Sequence, residues 1–150
     1  MLAQETLARD YGVASDLYSV TSYKELRREA LEVERWNLLH PTEKPRQAYV
    51  QKLLHGKQGP FIAASDYMHL VSEQIAKWVP DRRLVTLGTD GFGRSDTREN
   101  LRRHFEIDAA HITFAALSEL HRRGEVDRSV IEKARQALGI DPDKKNPVSA

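Results

Sequence analysis

One stretch constrains the fold of this chain more than any other, residues 84–108, LVTLGTDGFGRSDTRENLRRHFEID. It opens with the apolar, partly β-branched run Leu84-Val85-Thr86-Leu87, long enough for a buried strand. A turn with three glycines follows, Gly88, Gly91 and Gly93. Asp96, with Glu99 three residues on, has the form of a capped helix start. Strand, glycine-rich loop and helix in that order mark the place where α/β sheets tend to hold ligands, at the carboxyl end of a strand.

The residues argue against a phosphate cradle. The spacing Gly91-x-Gly93-x-x-Asp96 lacks the third small residue of a dinucleotide fingerprint, and no Gly-Lys-Ser/Thr follows. Asp90 and Asp96 put negative charge where a phosphate would bring its own. Asp96 and Glu99 already supply the anion that a helix start attracts. The stretch reads as a rigid turn whose glycines permit positive φ, closed by an Asp cap.

The same signals run along the rest of the chain. Residues 2–11 read as a helix stopped by Gly12. Residues 15–21, SDLYSVT, read as a strand, and Ser22 with Glu25 forms a capping box for a helix carrying Tyr23, Leu26, Ala30 and Val33 on one face. That helix runs through Trp36, Leu38 and Leu39 to Pro41, and its apolar end suits either core or contact with a neighbour. Pro45 suits the first turn of a helix over 46–55. Residues 61–64 read as a buried strand, and 67–79 as a helix capped by Ser65 or Asp66. Helices follow over 97–104, from Asp108 to about Arg123, and over 128–138, with a loose tail after Gly139. Helices alternating with apolar strands predict an α/β domain with a largely parallel sheet covered on both faces. Three strands are few for such a sheet. A further strand is expected before Met1, and its absence would leave an unpaired edge through which isolated copies self-associate.

Composition narrows the function. Lys and Arg number 23 against 22 Asp and Glu, a net charge of +1, which argues against a dedicated nucleic-acid binder. Without cysteine there is neither a disulfide scaffold nor thiol catalysis. No apolar run approaches the ~20 residues of a membrane helix, and the acidic start is no signal peptide, so the expected compartment is the cytoplasm. The six histidines fall into no HExxH or HxH arrangement. There is no G-x-S-x-G elbow. Arg98, Arg102 and Arg103 read as an outward-facing basic run.

The stretch GTDGFGRSDTRENLRRHFEID at 88–108 closely resembles the C-terminal region of the homodimeric type of pyruvate dehydrogenase, the thiamine-dependent decarboxylating component of the pyruvate dehydrogenase complex. DLYSVTSYKEL at 16–26, ERWNLLHP at 34–41, ASDYMHLVSEQI at 64–75 and the ending NPVSA are similar to the same family in the same order. The resemblance implies the last of three α/β domains in a long chain that works as a homodimer. In that family the first two domains hold thiamine diphosphate and magnesium. The last resembles the transketolase C-terminal domain, three layers with a mostly parallel mixed sheet between helices. Residues 1–150 are then a single truncated domain of this kind, lacking its first strand. Its implied partners are the remaining domains of its subunit, a second subunit and the other components of the complex, with neither nucleic acid nor membrane.

The family's GDG…N cofactor signature is absent. No catalytic, cofactor-binding or metal-binding residue is therefore assigned, and no cofactor is expected in this piece. The candidate contact residues are Trp36, Leu38 and Leu39, with the loop Asp90, Gly91, Phe92, Gly93, Arg94 and Ser95. The alternative is a stand-alone regulatory or anion-binding α/β module using the 88–96 loop.

Overall fold

The computed structural model describes residues 1–149. Its elements in chain order are α1 (Leu2–Tyr11), α2 (Tyr23–Leu39), α3 (Tyr49–Leu54), β1 (Phe61–Ala64), α4 (His69–Glu73), β2 (Leu84–Leu87), α5 (Arg98–His104), α6 (Ala109–Arg122) and α7 (Arg128–Ala137). Short 3-10 turns follow α4 and close the chain at Pro147–Ser149. The fold is α/β. Among the described residues the sheet has two strands, parallel, with Phe61 opposite Leu84 and Ala64 opposite Leu87.

Side chains alternate across a strand, and here the alternation divides the core. Phe61 packs with Leu84 against Ala30, Val50, Leu54, Ile75, Trp78 and Val79, from α2, α3 and the segment after α4. Ile62 packs against Leu7, Ala116, Leu117 and Ala134, from α1, α6 and α7. Helices thus cover both faces of the sheet. The Tyr23, Leu26 and Ala30 face of α2 points into the first cluster as its spacing predicts. None of the described helices is long and apolar enough to cross a membrane.

Several helix ends follow their local signals. Gly12 ends α1 in a left-handed conformation, Ser22 accepts a hydrogen bond from Glu25 N, and Asp108 accepts one from His111 N at the start of α6.

Others depart from expectation. Residues 15–21 form no strand. Gln4 holds the Ser15 carbonyl and Lys57 pairs with Asp16, but no neighbouring strand is present to satisfy the backbone, so a ladder cannot form. Leu17, Tyr18 and Val20 are left exposed. The helix expected over 46–55 begins only at Tyr49, because the Asn37 side chain clamps both backbone groups of Arg46. Glu29 then accepts from Tyr49 N. The helix expected over 67–79 is cut to α4 and two 3-10 turns, with Asp81 and Arg82 at positive φ.

The exposed apolar segment and the unpaired outer edge of β1 together favour association of the isolated chain with itself. Light scattering at high concentration is expected to give a mass above that of one chain, and Val20→Lys is expected to reduce it. A clean monomer would contradict this.

Candidate functional site

The backbone leading into α4 lies so close to the residue after β2 that this position must be glycine. A Cβ on Gly88 would stand 2.5 Å from His69 N and 2.8 Å from Tyr67 O. Beyond it, Thr89 N donates to Tyr67 O at 3.0 Å and Thr89 Oγ1 to Asp66 O at 2.8 Å. Asp90 Oδ2 accepts from His69 N at 2.8 Å and pairs with His69 Nδ1. Asp90 therefore caps α4 from the loop after β2. Neither Ser65 nor Asp66 performs that role: Ser65 Oγ accepts from Tyr67 N instead. The two hydrogen bonds from His69, the backbone one first, hold the Asp90 carboxyl below its ordinary range.

The loop then turns outward. Gly91 has φ +113, and a Cβ there would collide with the Pro147 carbonyl of the returning tail. Phe92, Gly93, Arg94 and Ser95 are all exposed. Asp96 accepts from Asn100 Nδ2 and Thr97 N, which lower its carboxyl. The N-cap of α5 is Thr97, whose Oγ1 accepts from Asn100 N. The expected cap is thus displaced by one residue, with Asp96 bracing the turn from outside.

Arg98, Arg102 and Arg103 do not form one outward-facing run. Arg103 turns inward, pairing with Asp108 at 3.1 Å and donating to the carbonyls of Leu138 and Gly139 at the end of α7. Arg102 reaches Asp66 at 3.3 Å. Lys144 donates to the His104 carbonyl at 2.6 Å and to Glu106 at 2.9 Å, which straps the tail to α5. The tail after Gly139 is therefore anchored, although its last residue, Ala150, lies outside the described residues.

Two cavities flank α5. One, of about 330 Å³, is lined by Asn100, Arg103, His104, His111 and Lys144 among others. The other, of about 320 Å³, lies against Arg94, Ser95, Asp96 and His104. Burial, with Arg94 and Lys144 nearby, pulls the His104 imidazole below its ordinary value. Two imidazole–carboxylate pairs, His69–Asp90 and His111–Asp108, superficially resemble acid–base dyads. Among the described residues neither imidazole receives a hydroxyl, as an activated nucleophile would require. No group of three His, Asp or Glu among them is placed to hold a metal ion. The second cavity brings Asp96 toward any anion, so a diphosphate does not fit its lining.

The second set of candidate residues lies in the last turns of α2. Trp36 is half-buried, stacked on His40 at 4.3 Å, with the Arg46 guanidinium 3.7 Å from its ring centroid. Leu38 and Leu39 are 78% and 54% exposed, so they are not core. Trp36, Leu38 and Leu39 do not meet the 88–95 loop in a single site. Sequence reasoning did not find His69 or Lys144 and placed Arg103 facing outward, because each is bonded to groups distant in sequence. Only the Asp108-to-His111 spacing, a cap with an imidazole on the first turn, was available as a local signal.

A family model described as the transketolase-like TK C-terminal domain matches residues 1–108. The chain is 50% identical over 146 residues to the pyruvate dehydrogenase E1 component of Pseudomonas aeruginosa, covering 97% of this chain and 17% of that protein. It is 52% identical over 145 residues to the protein of the same name from Escherichia coli (strain K12), covering 97% of this chain and 16% of that protein. With the one from Cupriavidus necator the identity is 50% over 147 residues, 98% and 16% of the two chains. The chain thus spans a small part of the curated relatives it matches.

The loop geometry separates two glycines that look alike in sequence. Gly91→Ala is expected to cost about 2 kcal/mol or more, through positive φ and the collision with Pro147. Gly93→Ala, with open space around it, is expected to stay within about 0.5 kcal/mol. Urea unfolding measures both.

Asp108 gives a pH dependence. Burial pushes its carboxyl up, but hydrogen bonds from His111 and Arg103 outweigh that and hold it well below the ordinary range. A carboxyl lowered on folding contributes stability above its unfolded value, ~3.9, and loses it as pH falls toward the folded value. Stability should therefore decline below about pH 5. Asp108→Asn should be less stable by about 1–3 kcal/mol at pH 7, with a flatter acid limb in the same unfolding series.

Proposed function

Because the chain belongs to the transketolase-like C-terminal domain family, we propose that it is a structural, dimer-supporting domain of a thiamine diphosphate-dependent pyruvate dehydrogenase of the acetyl-transferring type. In this reading residues 1–150 are one domain, lacking its first strand, of a cytoplasmic oxidoreductase. The long polypeptide oxidatively decarboxylates pyruvate within a pyruvate dehydrogenase complex. This domain packs against the other domains of its subunit and against a second subunit, with no role for nucleic acid or membrane.

Identity near one half over almost the whole chain, to relatives named pyruvate dehydrogenase E1 component, carries this reading. The local chemistry agrees with a packing role. The carboxylates of the 88–96 loop are engaged by the chain's own donors, whereas its aromatic residue, Phe92, faces solvent. Trp36 is held rigid between His40 and Arg46 while Leu38 and Leu39 project beside it. Rigid polar frameworks presenting apolar side chains suit contact surfaces.

Thiamine diphosphate, with magnesium, would supply the carbanion chemistry on pyruvate, held by residues outside this chain. No group of three His, Asp or Glu among the described residues is placed for a metal ion, and Asp96 sets the cavity beside the 88–96 loop against a diphosphate, so no chemical step is assigned to this chain's residues. Isothermal calorimetry of the isolated chain with thiamine diphosphate and magnesium is expected to show no micromolar binding, and an assay with pyruvate no turnover. Binding at that affinity would overturn the reading. A thermal shift with phosphate or nucleotides at millimolar concentration would favour an anion-binding module instead.

A further inference from the structure

Exposed apolar side chains collect at the carboxyl end of the sheet. Tyr67, Met68, Leu70, Phe92 and Val148 are 70%, 50%, 63%, 82% and 54% exposed. They come from three segments whose backbones touch. Tyr67 O and His69 N receive the loop at Thr89 and Asp90, Gly88 lies against residues 67–69, and Gly91 lies against Pro147 and Val148. Single exposed hydrophobics need no explanation, but a gathered set on fixed backbone marks an interaction surface. Arg94, two residues from Phe92, belongs to none of the ion pairs among the described residues.

The size of this surface selects its occupant. A free-standing interface uses roughly 20–30 residues a side, polar rim included, and five exposed apolar side chains make only a small apolar centre. A surface on the same polypeptide is held at an effective concentration of order millimolar, where a small preorganised patch suffices. The relatives carry far more chain than this, since the matched region is 16–17% of their length.

We propose that the patch centred on Phe92 docks in cis, onto another domain of its own polypeptide, in an apolar recess with an acidic rim that receives Arg94. This rests on the proposed function and adds which surface faces the same subunit. Phe92 is the anchor, Tyr67 and Leu70 stand exposed on the adjoining segment, and the Asp90–His69 tie holds the two segments together.

The test places this 150-residue chain in the Escherichia coli relative in place of its matched region, with Phe92→p-benzoylphenylalanine as a photo-crosslinker. The expected product has the mass of one chain, with the crosslink mapping outside the 150 residues. A product of two-chain mass, or none, overturns the proposal. If the chimera does not fold, the same crosslinker at the matched position of the intact relative gives the same readout. In the chimera, Phe92→Ala is expected to speed amide exchange at residues 67–70 by about tenfold, as removal of an interface anchor does. In the isolated chain it should leave the exchange and melting unchanged. Unaltered exchange in the chimera would also overturn it. A folded chimera without pyruvate turnover counts against the proposed function, whereas an active one crosslinked between subunits counts only against docking in cis.

Discussion

The hydrogen bond from His69 N to Asp90 joins the two segments that leave a very small sheet, the start of α4 and the loop after β2, and the arrangement around it depends on that bond. Two four-residue strands offer little ladder of their own. Asp90 adds a charge-assisted bond to the first free N–H of α4, which has no capping side chain of its own. The approach is close enough to exclude any side chain at position 88. Once the ends are tied, Thr89 bonds to both Asp66 and Tyr67, and the loop that follows can leave in only a few directions.

A second set of ties fixes α5, α6 and α7 and brings the tail back. Arg103 joins the start of α6 to the end of α7, and Lys144 closes the same ring from the tail. Below them, nearly buried Glu119 on α6 meets Arg83, just before β2, at 2.6 Å and Arg122 at 3.0 Å. Both arginines stay partly hydrated, which limits the desolvation that a fully buried pair would suffer. Leu117 is fully buried between helix and sheet, a burial contributing about 1.5–3 kcal/mol. Much of the second face of the sheet is therefore covered by α6 and α7, which lie beyond the residues matched by the family model.

How these parts bear on function follows from where polarity is consumed. The loop's acids Asp90 and Asp96 have partners within the chain, and the imidazoles of His69, His111 and His121 orient on carboxylates or a carbonyl rather than on a nucleophile. Exposed apolar groups are instead mounted on braced backbone at two separate places, beside Trp36 and around Phe92. That distribution matches a domain whose contribution to a larger protein is contact.

By itself the sequence determined the elements whose signals are local. The strands at 61–64 and 84–87, the stop at Gly12, the caps at Ser22 and Asp108 and the inward face of α2 need only neighbours within a few residues. The ordered motifs from 16 to 108 were enough to indicate the family. Tertiary structure alone decided the rest. Residues 15–21 have strand composition but no partner ladder. Asn37 delays α3 across nine residues, Asp90 caps α4 across 21, and Arg103 turns inward to carbonyls 35 and 36 residues away. A helix start or a turn is a contest among adjacent groups, whereas pairing, clamping and capping at a distance depend on which groups folding brings together.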